Sequence, residues 1–282
     1  MDLTHRIGMN IEDEKYITRL QNMKGIELSL NPTVGGRYVL VVVSIDESNP
    51  NWQEVVDIAK IHKEFESYGM GDFFETYFTD AEIRKAAWSR LIPTFEQGYS
   101  QPEAEFPIVQ SSYELFCNHC VQHRQIDSMR FKKEPHMGRK SFMTQIANGE
   151  IHCTPNVFEK LAQIHATGYK PWNCVIHKTG VPLEKVKQLY VTEEAKPGMI
   201  PYEGLTKIIC PVCGRPKYYS HKKGVMQIKK KAIISNVDFQ RTAEWFGSGY
   251  IAFQEILVSN RIANLILDEG WQGVRLKVVE LV

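Results

Sequence analysis

Long apolar runs are missing from this chain. No stretch approaches the ~18 consecutive apolar residues that a spanning helix needs, so no membrane span is expected. The first twenty residues mix both charge signs and hold no apolar core segment, so no signal peptide is expected, and a cytoplasmic location follows. Internal repeats and low-complexity tracts are also lacking, and 43% hydrophobic with 24% charged residues is globular rather than disordered composition. No Walker or dinucleotide glycine pattern occurs, and Gly247-Ser248-Gly249 lacks the spacing of a nucleophile elbow. His62-Lys63-Glu64 ahead of a C-x-x-C has the outline of a zinc deaminase, but Phe116 rather than proline precedes Cys117, and a second cysteine pair is left over. No enzyme is expected.

Cysteine is scarce too, at six in 282 residues, which makes its arrangement informative. A reducing compartment disfavours disulfides, and paired cysteines there point to metal. The pairs are C-N-H-C at 117–120 and C-P-V-C-G at 210–214. Two intervening residues let both sulfurs of a pair turn toward one ion. Four thiolates at about 2.3 Å satisfy tetrahedral zinc with no open position, as in structural sites. The expected ligands are therefore Cys117, Cys120, Cys210 and Cys213, holding one structural Zn2+ per chain. Competing readings are chance buried thiols, a redox pair, or one zinc per pair completed by His119, His123, His136 or His221. Cys153 and Cys174 read as buried single thiols, and His165 as a histidine on the apolar side of a helix.

The pairs are 89 residues apart, far beyond a compact zinc ribbon. Closing such a loop costs about 4 kcal/mol plus a constant. Structural zinc supplies roughly 10–16 kcal/mol in small peptides, so the metal outweighs that cost. The insert carries its own structural signals. Thr154-Pro155 starts a helix that Gly168 ends, and strands are expected near 172–177 and 187–192.

Elsewhere, 38–45 after Gly35-Gly36 reads as a strand covered on both faces, followed by a helix over 52–67. A second helix is expected from Asp80 to Leu91, stopped by Pro93, and 93–107 as a loop. VMQIKKKAII reads as a strand or hairpin arm. Residues 256–258 form a strand, Ser259 caps a helix ended by Gly270, and 274–278 alternate as a last strand. The fold class is α+β, with a zinc-ribbon-like pair of knuckles bridged by a long folded insert. Two regions are expected: an acidic N-terminal α/β region, 1–110, and a zinc-knuckle region, 111–282, ending in the strand-helix-strand unit. The first carries 10 Lys+Arg against 18 Asp+Glu, the second 24 against 15.

Arg215, Lys217, Lys222, Lys223 and Lys229–Lys231, with Tyr218 and Tyr219 among them, have the composition of a nucleic-acid-binding segment. A solvated hairpin is the preferred reading of this stretch, and the acidic half suits a basic protein partner. The two distant C-x-x-C(G) motifs, W-F-G-S-G at 245–249, E-I-L-V-S-N-R at 255–261 and G-W-Q-G-V-R-L-K-V-V-E at 270–280 resemble the bacterial double-CXXCG motif proteins. The ending also resembles related immunity proteins of polymorphic toxin systems. This resemblance covers roughly 111–282. It implies a cytoplasmic immunity protein that binds and neutralises a cognate toxin, with the four cysteines as its metal ligands. Val121 stands where the family has glycine after the first pair. The alternative is a zinc-ribbon-like nucleic-acid-binding protein.

Overall fold

The computed structural model describes residues 2–32, 39–62 and 72–282. They form a mixed α+β structure with many strands and few helices, in two compact units. No helix among them is long and apolar enough to cross a membrane.

The first unit takes in residues 1–79 and Lys222–Gly224. It runs β1 (Asp2–Ile11), α1 (Glu14–Gln21), β2 (Glu27–Pro32), β3 (Val39–Asp46), α2 (Trp52–Ile61) and β4 (Asp72–Tyr77). The sheet is antiparallel in the order β2-β3-β1-β4, the connectivity of a split βαβ motif. Alternation makes its core. Ile7, Met9 and Ile11 of β1 and Val41, Val43 and Ile45 of β3 are buried with Leu20, Val55 and Ile58 from the helices. The run at 39–45 is therefore not covered equally on both faces, because Leu40, Val42 and Ser44 are only half-buried. Its apolar character satisfies one packed face and one partly wet face of an antiparallel sheet. Gly35-Gly36 and positions 63–67 of the expected helix lie outside the described residues.

The second unit holds 80–221 and 225–282, so the boundary expected at 110 falls inside it. Its elements are α3 (Asp80–Lys85), β5 (Trp88–Pro93), β6 (Tyr113–Leu115), β7 (His123–Gln125), β8 (Arg130–Phe131), β9 (Phe142–Met143), β10 (His152–Cys153), α4 (Pro155–Gln163), β11 (Tyr169–Ile176), β12 (Pro182–Val191), β13 (Met199–Ile200), β14 (Lys207–Ile209), β15 (Pro216–Tyr218), β16 (Met226–Ile228), β17 (Phe239–Phe246), β18 (Phe253–Ser259), α5 (Asn260–Asp268) and β19 (Val274–Leu281). Eight strands form a sheet in the order β13-β16-β19-β5-β18-β17-β15-β14, and five form a second in the order β8-β11-β12-β10-β9.

The helix expected over 80–91 breaks after Lys85. Residues 88–93 instead become β5, paired with β18 on one side and β19 on the other. Two long-range ladders override the local helical pattern. In α4, Thr154 has the extended cap conformation and Pro155 follows at the first position, as expected, but the helix ends at Gln163. His165 lies beyond it, exposed and with φ of 50°. The segment 225–234 supplies the short strand β16 and then a 3-10 turn at Lys230–Ala232. The C-terminal strand-helix-strand reading matches β18, α5 and β19. The Ser259 hydroxyl, however, donates to Asp238 Oδ1 at 2.8 Å rather than capping α5.

Candidate metal centre and adjoining pocket

Each cysteine pair lies in the turn of a two-stranded hairpin. β6 enters the first knuckle and β7 leaves it; β14 and β15 flank the second. The turns close alike, with Val121 N–H donating to Cys117 O and Gly214 N–H to Cys210 O, both at 2.9 Å. Each needs a left-handed residue after its second cysteine. Gly214 meets this at φ of 72°, and Val121 adopts it at 54° despite its β-branch. The valine is buried, and that packing offsets its backbone strain.

The fold brings all four cysteines together across the 89-residue insert. Cys117 Sγ is 3.8 Å from Cys210 Sγ, and Cys120 Sγ is 3.6 Å from Cys213 Sγ. All four sulfurs lie within 4.8 Å of one another. A tetrahedron with 2.3 Å metal–sulfur bonds has edges of about 3.8 Å, close to the 3.6 and 3.8 Å of these two pairs. A disulfide needs about 2.05 Å, and all six cysteines are free. Four sulfurs in this arrangement can hold a metal ion. Among the described residues they are the one converging group of three or more His, Cys, Asp or Glu donors, and no histidine joins them.

The thiols differ before any metal arrives. Amide N–H groups of Cys120 and His119 point at Cys117 and lower its pKa to about 7. Burial raises that of Cys210, yet amides of Cys213 and Val212 carry it below the ordinary value. Cys120 is pushed up to about 12, chiefly by burial. Zinc would bind all four as thiolates. Cys153 and Cys174 are buried apart from the cluster. Burial pushes the Cys174 thiol up to about 12 and that of Cys153 well above its ordinary value, so both are inert thiols, as expected.

Lys217, expected in a solvated basic run, is buried instead. Its ammonium donates to Cys120 O at 3.3 Å, Gly249 O at 2.9 Å and Ile251 O at 3.0 Å. It thereby ties the first knuckle to the 247–251 loop. That loop turns at Gly247, where φ is 116° and a Cβ would stand 2.3 Å from Ile251 O. Gln122 Nε2 adds a bond to Pro216 O at 2.8 Å between the two knuckles. Lys217→Met keeps the stem and removes the charge, leaving three carbonyls to find water. It is expected to cost about 3 kcal/mol in urea unfolding at saturating zinc. A cost within experimental error of zero would remove this role. The rest of the basic run is dispersed. Arg215 lies over the Phe116 ring at 4.7 Å, Lys222 and Lys223 belong to the first unit, and Lys229–Lys231 are exposed.

Beside the knuckles lies a cavity of about 630 Å³ that no sequence motif announced. Its floor is polar and buried. Arg241 Nη2 donates to Glu150 Oε2 at 2.7 Å, and Gln188 Nε2 donates to the same oxygen at 2.8 Å. Burial alone would raise the Glu150 pKa, but Arg241 holds it below the ordinary carboxylate value. His123 Nδ1 lies 2.8 Å from Val121 O, and burial lowers its pKa. The neutral ring donates Nδ1–H to that carbonyl and leaves Nε2 as an acceptor. Tyr113 and Trp245 meet the His123 ring edge-on at 4.4 and 5.3 Å. These residues span positions 113 to 245, so only the tertiary fold assembles them. Comparisons with family models, with curated proteins and with solved structures find no match to this chain.

Proposed function

We propose that the chain is a zinc-stabilised, non-catalytic immunity protein that neutralises a cognate protein toxin in the bacterial cytoplasm by stoichiometric binding. The observation that carries the metal part is the convergence of the Cys117, Cys120, Cys210 and Cys213 sulfurs to within 4.8 Å of one another. Four thiolates complete the shell of zinc, leaving no position for substrate or activated water. The site then acts as a clasp, and function passes to surfaces. Support for the binding part comes from the motif resemblance and from the acidic bias of residues 1–110. Phe116, Ile209, Val212 and Tyr250 add apolar and aromatic side chains exposed around the knuckles, the residue types of contact surfaces.

Co-expression with the toxin encoded beside this gene should restore growth of a toxin-arrested host, and the two proteins should co-purify at fixed stoichiometry. Continued arrest with soluble, zinc-loaded protein sinks the reading. The nucleic-acid alternative needs one cationic surface, and the burial of Lys217 weakens it. A gel shift at low salt is expected to show no retardation of single- or double-stranded DNA or RNA.

A further inference from the structure

We propose that the cavity beside the cysteine cluster is a binding site for a neutral, planar, hydrogen-bonding ring of the nucleobase class, presented as a free base or nucleoside. This goes beyond the immunity reading and does not depend on it.

Size and walls come first. The cavity's volume, about 630 Å³, lies within the range of small-ligand sites, roughly 300–1,000 Å³. Trp245, Tyr218, Tyr190 and Phe253 line it, so flat aromatic surface is available for stacking. Next come unused polar groups. Among the described residues the Arg241 guanidinium hydrogen-bonds only to Glu150, through Nη2. A guanidinium with one Nη2–H engaged keeps a complete two-pronged donor face, whichever of its edges that bond occupies. The Nε2 lone pair of His123, a lining residue, is an acceptor in the same cavity. The site thus offers a donor fork and an acceptor among aromatic rings.

Charge then decides the ligand class. The floor is already electroneutral, because Arg241 pairs with Glu150 and desolvation lowers the pKa of the half-buried His123 ring, which favours its neutral form. Elsewhere in the lining stand Glu193, Glu194 and Glu244 with Arg124 and Arg215, and the Glu244 carboxylate is taken up by the Gly198 and Met199 amides. An ion reaching that floor would find no free counter-charge there, because Glu150 and Arg241 already pair with each other. A neutral ring with carbonyl or ring-nitrogen acceptors and an N–H donor satisfies the free groups without that cost. The wall is also built for the purpose. β17 pairs with β18 at Arg241↔Ile256 and again at Trp245↔Gln254, so four steps on one strand match two on the other. Such irregularities re-aim side chains beside binding sites. The Thr242 hydroxyl holds this one, donating to Glu244 O at 2.9 Å and accepting from Glu255 N–H at 3.1 Å.

The test is calorimetric titration of the zinc-loaded full chain with adenosine, guanosine, cytidine and uridine, with Trp245 fluorescence as a second readout. At least one nucleoside should bind with submillimolar affinity and quench the tryptophan. Arg241→Gln should weaken it tenfold or more. Should that variant misfold, Trp245→Leu, a change in a partly exposed wall residue, should weaken binding several-fold while leaving zinc content at one per chain. No heat and no quenching with any nucleoside at millimolar concentration overturns the proposal. So does binding that survives both substitutions, and so does binding of oligonucleotides alone.

Discussion

Replacing Cys210 by serine is expected to cost the second unit about 4–5 kcal/mol and to release the metal. The magnitude follows from treating the zinc clasp as a cross-link. Joining the ends of an 89-residue loop removes that much chain entropy from the unfolded state. For a chain of this size the loss corresponds to roughly 10–20 °C in melting temperature. Serine is nearly isosteric with cysteine, and Cys210 is buried in the cluster, so steric change contributes little. The control is Cys174→Ser, a buried thiol outside the cluster. It should lose some packing but keep full zinc occupancy. If Cys210→Ser and a chelated wild type both melt where the untreated protein does, the clasp contributes nothing and the account fails.

Acidification gives the second large effect. Burial lowers the His152 pKa to about 4 and that of His221 to about 3. Neither ring nitrogen of either histidine has a hydrogen-bond partner among the described residues. Both rings are therefore neutral in the folded state and take up protons on unfolding near pH 6.5. Below that value the unfolded chain binds more protons than the folded one, so stability falls as pH falls. The window runs from about pH 6.5 down to the folded values. Between pH 7 and pH 5 each histidine should cost about 2 kcal/mol, and the pair about 4. Urea unfolding in excess zinc measures it, and His152→Leu or His221→Leu should each remove about half of the pH dependence. A flat stability profile over that interval would show that the rings are solvated.

These effects depend on features that the sequence reveals unequally. The four converging cysteines were legible because two C-x-x-C pairs among six cysteines carry local spacing. The C-terminal unit was legible for the same reason, since Ile262, Ala263 and Ile266 repeat at helical spacing and β19 alternates. β5 was not legible. Residues 80–91 look helical locally, and only pairing with β18 and β19 makes Trp88–Pro93 a strand. Lys217 was misread because a lysine beside other lysines looks solvated. Its burial depends on carbonyls at 120, 249 and 251, which no window around it contains. The Glu150–Arg241 floor was hidden in the same way, by 90 intervening residues.

The central claim is a single closed zinc site that clasps a folded insert. Metal analysis with X-ray absorption at the zinc edge tests it most directly on protein purified without added metal. The account predicts one zinc per chain, coordinated by four sulfurs at about 2.3 Å with no oxygen or nitrogen neighbour. Two zincs per chain, a mixed sulfur–nitrogen shell, or a metal-free protein of unchanged stability would contradict it.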